Sequence, residues 1–338
     1  VRVLRHSCLV LLALSTTTLA GCGGAASDTD RTERTRPAAV PSPTLHTASA
    51  PAPTVVEGRD GFLFFGADFD LSCGSGQTFD RDLEQLGEVA STIAASGREV
   101  VWTVAPDKST ALVDRLPETT PHDACFRDNQ RWQEHLLGEV TEEHYVDSLA
   151  LLRSADEAGE QVFWRGDSHW TSYGASLWLR ELVERLDPTL AEQLVVTEGT
   201  AERTGDLYVE AGSNDVEEAR SAAFATGATV EAVPDGPVFD PGRDEWGPLQ
   251  WRSRPAEGLH PGRTLVIGDS FSYAAIDLTM PLFARGDFAW FQYFDDEELA
   301  AQVAAADTVV LEVSQRTLTH AQVAQEPFAD AVEKALSD

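Results

Sequence analysis

Three short apolar runs constrain the fold more than anything else in the chain: Val100-Val101-Trp102-Thr103-Val104, Leu265-Val266-Ile267 and Val309-Val310-Leu311-Glu312-Val313. Each is rich in β-branched residues and too short for a helix, which fits strands buried on both faces. They extend to strands over Glu99–Ala105, Arg263–Ile267 and Thr308–Val313. Shorter strands are expected at Phe62–Phe65, after an Asp60-Gly61 turn, near His144–Val146, at Gln161–Trp164 and at Phe288–Tyr293. Helical periodicity fills the intervals. Asp80–Ser96 puts Leu83, Leu86, Val89 and Ile93 on one face and closes at Gly97. Further helices are expected around Trp132 and Leu136, from an Asp147 or Ser148 cap to near Arg153, and from Thr171 through Trp178 to about Leu186. The last ones cover Phe271–Met280, Asp295–Ala305 and Thr319–Leu336. Strands alternating with helices predict an α/β fold: a mostly parallel sheet in a three-layer, flavodoxin-like arrangement. Ligands in such sheets bind beyond the carboxyl ends of the strands. Residues 187–262 break the alternation and read as an insertion of loops and short strands.

The N-terminal segment reads as a targeting signal over residues 1–21. Arg2 and Arg5 precede a short apolar stretch from Cys8 to Leu14, and Leu19-Ala20-Gly21-Cys22 has the form of a bacterial lipobox. On that reading the Cys22 thiol is lipidated; the plainer alternative is an ordinary secretory signal with a chance cysteine. Residues 22–54 are rich in Gly, Ala, Ser, Thr and Pro and read as a flexible tether. A catalytic domain over 55–338 would then stand off the outer face of the cell membrane, held by acyl chains. The formal net charge of −31 argues strongly against nucleic-acid binding, which needs a basic face. Lysine occurs only at Lys108 and Lys334 while arginine is common, a coding bias that points to a GC-rich, actinobacterial source.

Cys73 and Cys125 remain as an even pair in an oxidising compartment, and a disulfide between them is expected. No metal-ligand spacing and no glycine-rich nucleotide fingerprint appears, so neither a metal nor another cofactor is expected.

Two motifs bear chemistry. Gly268-Asp269-Ser270-Phe271-Ser272 follows the 263–267 strand, where Ser270 would stand exposed at a strand-to-helix turn near amides suited to a developing oxyanion. The same residues would also serve as a simple helix cap. Asp167-Ser168-His169-Trp170-Thr171 sets a carboxylate and an imidazole two residues apart, on one face of an extended backbone. Asp167 could then orient His169 as the base for Ser270, although a capping cluster before Thr171 is the simpler alternative. Together the motifs supply a nucleophile, a base and its orienting acid for acyl transfer.

These motifs occur in order with Gly58-Arg59-Asp60-Gly61-Phe62-Leu63-Phe64, Pro106-Asp107-Lys108, Gly174-Ala175 and a late Glu312-x-x-x-Arg316. The set resembles the SGNH-hydrolase-like domain of the alginate O-acetyltransferase AlgJ/AlgX family over about residues 57–320. The resemblance implies a circularly permuted motif order, with the Asp/His block before the serine block. It also implies a Ser270 acetyl-enzyme with His169 and Asp167, acetyl transfer to hydroxyls of an extracellular polysaccharide, and a membrane-bound O-acyltransferase as donor partner. Lys108, Trp170, Tyr273 and Arg316 are candidates for substrate or oxyanion contacts. Lys108 could instead be a surface lysine, Glu312 and Arg316 an ordinary i,i+4 pair, and Trp246 and Trp251 either sugar platforms or local core. The sequence runs only a short way past Arg316, so the separate carbohydrate-binding module of AlgX is not expected. An acidic surface would repel a polyanion, so a neutral glycan fits the acceptor at least as well as a uronate polymer. An acetylesterase of the same fold and a non-catalytic glycan-binding protein are the competing functions.

Overall fold

The computed structural model describes residues 51–74, 78–233 and 248–337; the expected signal, Cys22, most of the tether and Trp246 lie outside the described residues. A small antiparallel hairpin opens the domain, β1 (Val55–Glu57) with β2 (Leu63–Phe65), turning through Asp60 and Gly61 at positive φ. Helix α1 (Gly66–Gly74) leads to α2 (Phe79–Ala95), whose Leu83, Leu86, Val89 and Ile93 are buried as the periodicity requires. Gly97, at φ +87°, then turns the chain, and its amide donates to the Ala94 carbonyl. Strand β3 (Glu99–Ala105) follows, then α3 (Lys108–Ala111), α4 (Asp123–Glu139), α5 (Ser148–Glu157) and α6 (Ser172–Leu186). Asp147 and Thr171 cap α5 and α6 with side-chain oxygens.

Next come α7 (Pro188–Gln193), β4 (Val196–Arg203), α8 (Asp206–Glu210), β5 (Glu217–Phe224), β6 (Thr229–Ala232) and β7 (Leu249–Arg254). The chain then runs through β8 (Thr264–Gly268), α9 (Ser270–Ala274), α10 (Ile276–Thr279) and β9 (Arg285–Trp290). It ends with α11 (Asp296–Ala304), β10 (Thr308–Ser314) and α12 (Glu326–Ser337).

Among the described residues the central sheet has the order β3-β10-β8-β9-β7-β6. The first four strands are mutually parallel, with Val310 level with both Val101 and Val266. β7 and β6 add an antiparallel edge. Strands β8 and β10 are buried along their whole length, which requires cover on both faces. Helices α2, α11 and α12 pack together as one group, and α5, α6 and α10 as another. The fold is therefore the expected α/β arrangement with a mostly parallel sheet.

Three local expectations are corrected. Gln161–Trp164 is not a strand of the sheet: Phe163 makes a lone antiparallel bridge to Trp170 across a tight loop. Near His144–Val146 only one parallel bridge forms, Trp102 with Tyr145. The final helix starts at Glu326, because Leu318–His320 and Gln322–Ala324 form separate 3₁₀ turns. The insertion is also more ordered than its composition suggests. β4 and β5 pair along eight residues as a separate ribbon, while β6 and β7 extend the central sheet. Cys73 and Cys125 are joined, tying α1 to α4 with Cα atoms 5.6 Å apart.

Candidate functional site

The 164–169 loop holds the acid and the imidazole. Asp167 Oδ1 accepts from the His169 backbone N–H at 2.9 Å and from His169 Nδ1 at 2.8 Å. The pairing thus comes from a side chain folded back on the amide two residues on, an Asx-type turn, rather than from a shared strand face. Asp167 is fully buried and His169 is 5% exposed. Asp167 Oδ2 accepts from Arg203 Nε at 2.9 Å and from the Asp206 N–H at 3.3 Å. Burial raises the carboxyl's pKa, but the hydrogen bonds and charge of His169, with the Arg203 guanidinium, outweigh it and bring it down to about 2. Asp167 is therefore a standing anion that fixes Nδ1 as the donor and leaves Nε2 as the basic nitrogen.

Much of what grips this loop comes from the insertion. Glu217, at the start of β5, accepts from the amides of Arg165 (2.8 and 2.9 Å) and Gly166 (3.1 Å). Asp206 accepts from Ser168 N–H at 2.7 Å and Ser168 Oγ at 2.5 Å, and its Oδ2 lies 3.7 Å from His169 Nδ1. The two backbones meet at glycines: a Cβ on Gly205 would overlap the Gly166 carbonyl, and one on Gly166 would overlap the Tyr208 ring. Sequence reasoning missed Arg203, Asp206 and Glu217. The only signal was Gly205-Asp206 within a stretch of ordinary polar character.

Ser270 is the first residue of α9, directly past the carboxyl end of β8, and is half-buried. Its turn is braced by two buried acids. Asp269 Oδ1 accepts from Phe271 N–H at 2.9 Å, while Oδ2 accepts from Ser314 N–H and Thr317 Oγ1, both at 2.9 Å. Glu312 Oε2 accepts from the amides of Ser272 (3.0 Å) and Asp269 (3.3 Å). The Ser270 amide is taken up by neither carboxylate. Burial, reinforced by Asp269, pushes the Glu312 carboxyl well above its ordinary range. Gly268 is needed for close approach, since a Cβ there would collide with Ser272.

The two motifs meet through Phe271. Its ring centroid lies 5.1 Å from that of His169 and 5.1 Å from that of Trp170, and Trp170 Nε1 donates to the Phe271 carbonyl at 3.2 Å. Phe271 directly follows Ser270, so these contacts join the chain around Ser270 to the Asp167–His169 loop.

Several other candidates stand behind the site rather than on its surface. Lys108 is 1% exposed, not a surface lysine; its ammonium donates to the carbonyls of Leu63 (2.7 Å), Arg165 (2.7 Å) and Asp167 (3.0 Å). Burial brings it down to about 7, against the pull of Asp167 and Glu217. Trp170 is 1% exposed and stacks on Trp178 at 5.6 Å. Glu312 and Arg316 are not an i,i+4 pair. Glu312 lies on β10, and Arg316 reaches Asp68 at 2.9 Å and Asp107 at 3.6 Å. Its guanidinium sits 5.0 Å from the Phe271 ring centroid. Tyr273 is half-buried, its phenol pushed up to about 12 by burial and Asp277. Trp251 is local core: it is fully buried, with Nε1 donating to the Met280 carbonyl at 2.9 Å.

Asp167, His169 and Asp206 each offer an atom that could ligate a metal, all within 4.8 Å of one another. Those atoms are already engaged with one another, with Ser168 and with the Arg203 guanidinium. The chemistry of the group is that of a hydrogen-bonded acid–base cluster. Among the described residues no helix is long and apolar enough to cross a membrane.

Comparison with known proteins adds a lineage. Residues 55–243 match the family model described as an SGNH hydrolase-like domain, acetyltransferase AlgX. Ser270 lies beyond that span. The "probable alginate O-acetylase AlgJ" of Pseudomonas putida is 30% identical over 165 residues, covering 46% of this chain and 41% of that protein. The protein of the same name from Azotobacter vinelandii is 26% identical over 160 residues, covering 46% of this chain and 37% of the relative. The match thus spans less than half of these relatives. Among solved structures, Bacillus cereus PatB1 superimposes with a TM-score of 0.56 at 13% identity, over 80% of this chain and 98% of that one. A DHHW family protein from Eubacterium siraeum gives 0.50 at 15% identity, over 83% and 98%. These two likenesses speak to the fold.

Proposed function

The chain belongs to the SGNH hydrolase-like, AlgX-type acetyltransferase family, and on that premise we propose that it is an O-acetyltransferase that passes an acetyl group through Ser270 to a hydroxyl of a polysaccharide. His169 Nε2 takes the Ser270 hydroxyl proton as Oγ attacks the acetyl carbonyl, while Asp167 offsets the imidazolium that forms. The donor's leaving group departs with that proton, leaving acetyl-Ser270. A glycan hydroxyl then gives its proton to His169 as it attacks the acyl carbon; His169 returns that proton to Ser270 Oγ as the acyl–serine bond breaks, and the glycan leaves as its acetate ester. The Ser270 amide is the backbone donor best suited to the oxyanion.

The observation that bears most on this reading is the buried Asp167–His169 pair, with its imidazole against the ring of the residue after Ser270. A bare capping cluster needs no anionic acid aimed at Nδ1. The relatives' name, alginate O-acetylase, supports a polysaccharide acceptor. With a formal charge of −31, a neutral glycan suits this chain at least as well as a polyuronate. We place the enzyme on the extracytoplasmic face of the membrane, anchored through Cys22 and supplied by a membrane-bound O-acyltransferase.

The test is acetyl release from 4-nitrophenyl acetate by the wild-type chain and by Ser270→Ala, with and without neutral and acidic oligosaccharides, and with the sugars weighed by mass spectrometry. Acetylated sugar from wild type alone is expected. Free acetate without acetylated sugar would make the protein an esterase. Equal release by Ser270→Ala would remove the nucleophile assignment.

A further inference from the structure

We infer that Asp206 is a second carboxylate of the acid–base unit, a positioning residue that holds Ser168 and His169 in register from the β4–α8 corner. The inference rests on the triad reading above and deepens it. Asp206 uses both oxygens on Ser168: Oδ1 receives the backbone N–H at 2.7 Å and Oδ2 the hydroxyl at 2.5 Å. With its proton directed at Asp206, Ser168 Oγ turns a lone pair toward His169 Nδ1, 3.3 Å away. Asp206 Oδ2 is itself 3.7 Å from Nδ1, while the Asp206 amide donates to Asp167 Oδ2 at 3.3 Å. One residue therefore touches every member of Asp167-Ser168-His169.

Its chemical consequence follows from charge. When His169 takes a proton, the imidazolium faces Asp167 directly and Asp206 at the second distance. The other charges around it act at one remove: Arg203 on Asp167 Oδ2, Lys108 on the Asp167 carbonyl and Arg316 over the Phe271 ring. The Asp206 side chain is 42% exposed, so water screens it and its weight is less than that of buried Asp167. A simple structural cap would need only the Ser168 N–H; the doubled contact and the approach to Nδ1 are what a cap does not require.

The test measures kcat, KM and the pH dependence of kcat/KM for acetyl release by the full chain, in Asp206→Asn, Ser168→Ala and the double variant, beside Ser270→Ala. Asp206→Asn is expected to lower kcat about tenfold with KM within about twofold, and to move the acid limb of the profile to lower pH as the imidazolium loses a partner. Ser168→Ala, which keeps the backbone bond, is expected to lose about threefold. The double variant should be no worse than Asp206→Asn, because both act on one contact. Wild-type kcat and an unmoved acid limb in Asp206→Asn, with Ser270→Ala inactive, would overturn this inference alone. An active Ser270→Ala would instead overturn the triad reading. Should Asp206→Asn fail to fold, Ser168→Ala with unchanged kcat overturns the inference by itself.

Discussion

Replacing Asp167 by Asn changes one atom and separates catalysis from stability. Each Asp167 oxygen receives two donors: Oδ1 from the amide and Nδ1 of His169, Oδ2 from Arg203 and the Asp206 amide. An amide keeps one acceptor oxygen, so its NH2 must face one of these donor pairs. If it faces His169, the ring changes tautomer, Nδ1 becomes an acceptor and the proton moves to Nε2, where a base is needed. In the serine-protease triad the equivalent change costs about 10⁴ in kcat, so a loss of about 10³–10⁴ is expected here, or about 4–5.5 kcal/mol of barrier. The stability cost is smaller. Lowering the carboxyl from 3.8 to about 2 corresponds to about 2 kcal/mol at neutral pH. Because the folded pKa is depressed, that stability is present above about pH 4 and is lost as the pH falls toward 2. Asp167→Asn should therefore be folded at pH 7, nearly inactive, and closer to wild type in stability at pH 2–3 than at pH 7. Acetyl release and urea unfolding at several pH values measure both parts. A kcat within threefold of wild type, or a stability gap that widens on acidification, would refute the reasoning.

Three further outcomes are expected. Lys108→Met removes the ammonium from three carbonyls, of which that of Arg165 keeps the Leu63 N–H at 2.8 Å, and should lower stability at neutral pH by about 3 kcal/mol in urea melts. The folded ammonium is held at about 7 against 10.5 when unfolded, so this group makes wild-type stability rise with pH between those values, and Lys108→Met should flatten that rise. Gly205→Ala should push the β4–α8 corner off the 165–167 backbone and cut acetyl release more than about tenfold, an outcome checked against its melting curve; wild-type activity would mean that the close approach is unimportant. Removing the Cys73–Cys125 bond, which spans 52 residues, with Cys73→Ser/Cys125→Ser should cost about 4 kcal/mol on the chain-entropy account; an unchanged urea midpoint would contradict it.

The sheet strands and main helices were legible because their signals are local. β3 coincides with the apolar run at 99–105, and α2 shows its buried face and its Gly97 stop within eighteen residues. Gln161–Trp164 misled because β-branched and aromatic residues also line a tight loop with a one-residue bridge. Glu312 and Arg316 misled because i,i+4 spacing brings side chains together only on a helix, and Glu312 lies on a strand. Within the site, Asp167 and His169 could be read as partners because they are two residues apart. Asp206 and Glu217 could not. Each reaches the loop from some forty to fifty residues away, and neither stands out among 56 acidic residues. Asp68, which pairs with Arg316 across 248 positions, is hidden for the same reason.

The most direct measurement is to incubate the protein with an activated acetyl ester, quench in acid and map the modified peptide by mass spectrometry. One acetyl group on Ser270 is predicted, accumulating when the glycan acceptor is withheld and disappearing when it is added. It should be absent from Ser270→Ala and strongly reduced in His169→Ala. Acetyl on another residue, or none while acetylated sugar still forms, would contradict a covalent route through Ser270.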